Sequence, residues 1–160
     1  MATPAVAALE PGRVLASDLS RARRTAELLV PAGVAVEADA VWRERDAGEW
    51  EGLTRVEIEE RYPGWLEEHR RPPGYEDDDE VLARALPALE ALLLNAVDGT
   101  TVLIVTHGGL IGTLERHLHA PWVRVPNLGG RWFHAAGDAL ALGEREVLID
   151  AETVTVPDQI

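Results

Sequence analysis

Apolar positions along this chain fall into two kinds of run. Val14-Leu15-Ala16 and the stretch Thr101–Thr106 (Thr-Val-Leu-Ile-Val-Thr) are short and almost continuously apolar, which is how strands buried on both faces read. Val34–Glu37 is a weaker run of the same kind, expected at a sheet edge. Elsewhere the apolar residues recur at helical spacing. Ala22, Ala26 and Leu29 share one face, with Arg21, Thr25 and Leu28 in the next row, so a helix is predicted to about Val30. Asp18 or Ser20 is placed to cap it, and Pro31-Ala-Gly33 ends it. Thr54-Arg-Val-Glu57 reads as a capping box opening a short helix with Ile58 and Tyr62 inward, stopped by Pro63. Leu82, Ala85, Leu89, Leu92, Leu93 and Ala96 predict a longer helix that Pro87 should kink or split. Asp98-Gly99 is a turn, and Leu110, Ile111, Leu114 and Leu118 face one side of the next helix. Ala5–Leu9 resembles a helix tail broken by Pro11-Gly12. Strands are expected near Arg131–His134, Ala139–Leu142 and Val147–Ile149. The order β-α-β-loop-α-α-β-α-β-β, without repeat or linker, is that of one α/β domain.

Composition narrows the chemistry. The net charge of −13 argues against nucleic acid and anionic membranes as partners, which reward a basic surface. No apolar run approaches a membrane span and no signal peptide opens the chain, so a cytoplasmic protein is expected. There is no cysteine, hence no disulfide, thiolate metal site or cysteine nucleophile. All 15 basic residues are arginine, which removes a Walker A lysine, a Schiff-base lysine and a Ser-Lys dyad. The arginine, alanine and valine bias suggests a bacterial genome of high GC content.

Three segments carry candidate chemistry. At Ser17-Asp-Leu-Ser-Arg21 a strand end turns into a helix with arginine in its first turn, where a guanidinium can fork onto a phosphate. Trp42-Arg-Glu44-Arg-Asp-Ala-Gly-Glu-Trp-Glu-Gly52 packs tryptophan and glycine densely enough to imply a fixed loop, and a carboxyl held there suits a general acid. At Thr106-His107-Gly108-Gly109 a strand ends in histidine and glycines open a helix. Ligands of open α/β sheets gather at such strand ends, and the helix start offers amide N–H groups and a positive dipole to an anion. Each segment alone also has a plain structural reading: a surface arginine beside a cap, an exposed acid, a core histidine. Glu76–Glu80 reads as a solvated acidic run favouring a helix start.

Together the three segments resemble the histidine phosphatase superfamily, in its phosphoglycerate mutase-like branch. That family carries a serine-rich strand end with an R-A-x-x-T-A helix, an L-R-E-x-x-x-G-x-W-E-G loop and a V-x-H-G-G strand end, and all three occur here in order. Pro73-Gly-Tyr-Glu76 with Arg84 looks like its G-E-S-x-x-x-x-x-x-R element, blurred at Tyr75 and Asp77. The resemblance implies a three-layer α/β fold with a mostly parallel central sheet. It implies that Arg21 grips a phosphoryl group, that Glu44 acts as acid and base, and that His107, with Gly108, binds phosphate and stabilises the transferring phosphoryl. It implies a small phosphorylated substrate and no cofactor or metal; a homodimer stays open.

One element of the family is missing from residues 1–160. No R-H-G occurs, the strand end whose histidine takes the phosphoryl group in that family. The missing strand is expected to lie between the strands ending at Ser17 and His107, leaving both with unpaired backbone. A truncated domain is therefore expected, from a late start or a fragment, or else an inactivated relative in which Met1–Leu9 or a partner fills the gap. The full-length protein is then expected to be a metal-independent phosphomonoesterase working through phosphohistidine, with this chain inactive. Phosphoglycerate mutase-type transfer and a non-catalytic phosphate- or partner-binding module are the alternatives.

Overall fold

A computed structural model describes residues 3–97, 99–137 and 139–149. Strand β1 (Arg13–Ser17) lies between β2 (Val36–Asp39) and β3 (Val102–Val105), and all three run parallel. Helices α1 (Thr3–Ala8) and α2 (Ser20–Leu29) cover one face of this sheet, and α4 (Asp78–Leu94) and α5 (Gly108–His117) the other. Alternation along the strands divides the core accordingly. Leu15, Val102 and Ile104 pack with Val81, Ala85, Leu89, Leu110 and Leu114, whereas Val14, Leu103 and Val105 pack with Val6, Leu29 and Val30. The short α3 (Arg55–Arg61) opens with the expected capping box and buries Ile58. An antiparallel hairpin, β4 (Gly129–Ala136) and β5 (Ala139–Val147), closes the described fold.

The neighbour order corrects the expected position of the gap. Strand β1 pairs directly with β3, Arg13 opposite Val102 through Ala16 opposite Val105, so no strand is missing between the ends at Ser17 and His107. The open edge is elsewhere. Among the described residues β3 pairs only with β1, and the hairpin strands pair only with each other. Yet Phe133 and Leu140 join the core on the α4–α5 side, and Leu128, Leu148 and Ile149 join it on the α1–α2 side. The hairpin and its flanking residues thus contribute to both layers, as a separate two-stranded sheet that among the described residues has no backbone pairing with β3. The amino-terminal segment does not bridge it: residues 3–8 are helical and Val6 is buried with Leu29 and Val30 (Met1 and Ala2 lie outside the described residues).

Smaller expectations also shift. Neither Asp18 nor Ser20 caps α2: the N-cap is Leu19, and Asp18 is taken by Arg43 instead. Pro87 leaves α4 as one helix, whose buried face runs through Val81, Ala85 and Leu89 while Ala96 is exposed. Among the described residues the tail holds two long strands where three short ones were expected, and of the Asp98-Gly99 turn Asp98 lies outside the described residues. No helix among the described residues is long and apolar enough to cross a membrane.

Candidate phosphate site at the strand ends

Because β1, β2 and β3 are parallel, their carboxyl ends share one rim, with Ser17 opposite Asp39 and Ala16 opposite Val105. The chain leaving β1 turns into α2 and brings Arg21 to this rim, while the chain leaving β3 ends at His107, the N-cap of α5. Arg21 Nε donates to His107 Nδ1 at 3.3 Å. An Nδ1 that accepts leaves the proton of the neutral ring on Nε2. That nitrogen is buried and has no hydrogen-bond partner among the described residues, in a residue only 8% exposed. A buried donor without an acceptor is costly, and one carried by the N-cap residue of a helix is suited to an anion's oxygen.

Glu44 completes the rim. Its Oε1 accepts from the Arg45 amide at 2.9 Å and its Oε2 from the Gly109 amide at 3.2 Å, so the loop carboxylate rests on the first turn of α5. The loop is held from several sides. Arg43 forks onto Asp18 at 2.6 and 2.7 Å, Thr106 Oγ1 donates to the Trp42 carbonyl at 2.7 Å, and Arg84 reaches the Val41 carbonyl at 2.7 Å. Arg84 also forks onto Glu76 at 2.6 and 2.8 Å, joining the two ends of the blurred G-E-x-R element. This corrects the view of residues 76–80 as a solvated run: Glu76 pairs with Arg84, and Asp78 with Arg45 and Arg116. Trp50 packs edge-on against Tyr62 and Tyr75 and is buried, so it shapes the loop from inside. Arg21, Glu44 and His107, singled out from sequence, therefore do converge. Arg45, Arg84 and the Asp18–Arg43 fork were not assigned roles there, and only Arg84 left a sequence signal.

The two glycines that open α5 differ in kind. A Cβ on Gly109 would overlap the Glu44 carboxylate, coming within 2.9 Å of its Cδ, whereas one on Gly108 would make ordinary contact with Val125 at 3.8 Å. Gly109→Ala is expected to displace the end of the Glu44 side chain and not the backbone, a loss at the low end of overpacking, about 1 kcal/mol. A double-mutant cycle with Glu44→Ala, read by denaturant unfolding, should recover most of that loss.

Burial holds the His107 imidazole below its ordinary value of 6.5; Glu44 pulls it up, and Arg21 and Arg84 push it down. The unfolded chain then takes up this proton first as pH falls. His107's contribution to stability is complete above pH 6.5 and is lost between 6.5 and its lower folded value. Unfolding midpoints measured across that window should fall in the wild-type chain and flatten in His107→Gln.

The family model of the histidine phosphatase superfamily (branch 1) matches residues 2–132. A glucosyl-3-phosphoglycerate phosphatase of Mycolicibacterium vanbaalenii is 32% identical over 166 residues, covering 93% of this chain and 74% of that protein. A mycobacterial glucosyl-3-phosphoglycerate phosphatase solved with VO3 superposes with a TM-score of 0.75 at 27% identity, covering 89% of this chain and 79% of the other. The same relative solved with inorganic phosphate gives 0.73 at 26% identity, covering 89% and 80%. The chain belongs to branch 1 of the histidine phosphatase superfamily.

Proposed function

We propose that residues 1–160 form the phosphate-binding part of a metal-independent phosphomonoesterase domain that works through a phosphohistidine. The observation that carries this reading is the buried His107 Nε2, unpartnered among the described residues, on a ring whose Nδ1 accepts from Arg21 at the N-cap of the helix whose Gly109 amide holds Glu44. Phosphoryl transfer demands positioning and positive charge around spreading negative charge more than elaborate covalent chemistry. Arg21 supplies a full charge and a fork. His107 donates through Nε2 to a phosphoryl oxygen, and the Gly108 end of α5 adds its dipole. As the bond to the substrate oxygen breaks, Glu44 gives that oxygen a proton; later it takes one from the water that hydrolyses the phosphohistidine. The relatives named as phosphatases, and their complexes with VO3 and phosphate, support the same reading.

The nucleophile of this reading is a histidine on an R-H-G strand that these 160 residues do not contain. The edge of β3 away from β1, unpaired among the described residues, is where such a strand would find backbone partners, one strand away from His107. Residues 1–160 on their own are therefore expected to bind phosphate and to turn over no phosphomonoester. A 4-nitrophenyl phosphate assay with acid-labile phosphoenzyme trapping tests this. Absence of turnover by a folded chain is the expected result. Turnover with a histidine-linked phosphoenzyme would overturn the assignment of the nucleophile.

A further inference from the structure

Glu44 is held by two backbone amides on different elements, its own loop and α5, so the carboxylate is itself one tie between them. Arg45 adds a second, independent tie that does not run through the carboxylate. Its Nη2 donates to Thr113 Oγ1 at 2.7 Å and to Asp78, and its Nη1 donates to the Glu76 carbonyl at 3.0 Å. Thr113 Oγ1 in turn donates to the Gly109 carbonyl at 3.0 Å. Gly109 is thus engaged at both ends, its N–H on Glu44 and its carbonyl on Thr113. The bonds close a ring: Glu44 carboxylate, Gly109, Thr113 hydroxyl, Arg45 guanidinium, and back along the chain to Glu44. We infer that Arg45 is the positioning residue for Glu44, clamping the loop to α5 so that the carboxylate stays over the helix's first turn beside His107.

The chemistry fits arginine and not lysine. Three acceptors on separate elements surround one planar fork, while the Tyr75 ring lies 5.4 Å from its centre. Asp78 neutralises the guanidinium, and Arg116 shares that carboxylate, so Arg45 contributes geometry more than field. Thr113 is almost wholly buried, and its hydroxyl also accepts from Arg116 Nη2 at 3.0 Å, so both arginines that share Asp78 meet on it. The role of Glu44 in catalysis rests on the function proposed above; its placement by Arg45 does not.

His107 reports the placement. It is faced by Arg21 from α2, Arg84 from α4 and Glu44 from the loop, and of these only Glu44 favours its protonated form. Titration of the His107 imidazole by NMR in residues 1–160 therefore reads where the carboxylate sits. Arg45→Met and Thr113→Val should lower the His107 midpoint by as much as Glu44→Gln does, and Thr113→Ser should keep the wild-type value. Arg45 would be a mere structural tie, and the inference overturned, if folded Arg45→Met and Thr113→Val chains kept the wild-type midpoint. Should Arg45→Met fail to fold, Thr113→Val, nearly equal in volume, decides in the same way. These titrations need no phosphate, so a chain that fails to bind phosphate would defeat the functional reading and leave this result standing.

Discussion

Glu115→Ala is expected to destabilise the chain by about 3–5 kcal/mol, the loss typical when one partner of a buried ion pair is removed. Glu115 is only 2% exposed. Arg145 forks onto it at 3.0 and 2.5 Å, and Arg131 stands 3.6 Å away with its Nε buried and, among the described residues, without a hydrogen-bond partner. Removing the carboxylate leaves the Arg131 guanidinium without its carboxylate neighbour and Arg145 with backbone carbonyls alone, both largely buried. The Arg145–Glu115 fork fastens β5 to α5, and Arg145 also donates to the Val123 carbonyl at 2.9 Å in the segment after α5. A domain of this size has a total stability of about 5–15 kcal/mol, so the variant should sit near its unfolding threshold. Urea unfolding followed by circular dichroism measures the loss. Glu115→Gln should fall between wild type and Glu115→Ala, because it keeps acceptor geometry without charge.

Arg21→Met should weaken phosphate binding by about ten- to a hundredfold, since a charge-assisted hydrogen bond is worth roughly 1.5–3 kcal/mol and each 1.4 kcal/mol is tenfold. Stability should change little, because Arg21 is exposed and its only side-chain hydrogen bond among the described residues is to His107. Losing that bond frees Nδ1 to take the proton, so the variant should also disturb the His107 tautomer. Isothermal titration with inorganic phosphate gives the affinity, and the thermal midpoint gives the control. A loss of affinity matched by a loss of folded protein would mean that Arg21 supports the fold and not the ligand.

Legibility followed the range of each interaction. Val102–Val105, the Thr54–Glu57 box and the helix opened by Gly108 are local patterns, and they were readable because period and capping act within a few residues. Arg21, Glu44 and His107 were readable through their resemblance to a family, and the parallel sheet explains why they meet. Pairing order was not readable. That β3 adjoins β1 is a choice between surfaces nearly ninety residues apart, and each strand's own pattern suits either neighbour. Glu115 was missed because it stands beside Arg116 on a helix face that looks solvated until the hairpin arrives with Arg145. Arg45 was missed for the same reason, since its acceptors at Glu76, Asp78 and Thr113 lie about thirty to seventy positions away and impose no period. Asp18 looked like a cap because caps are local, but the guanidinium of Arg43 holds it instead and keeps its carboxyl below the usual range.

Phosphate added to isotopically labelled residues 1–160, with amide and imidazole NMR shifts followed to saturation, tests the phosphate site most directly. Saturable shifts concentrated at Gly108, Gly109 and the His107 ring, with the His107 Nε2 proton moving as it gains an acceptor, are the predicted result. A folded chain whose shifts do not saturate, or saturate away from the ends of β1 and β3, would contradict it.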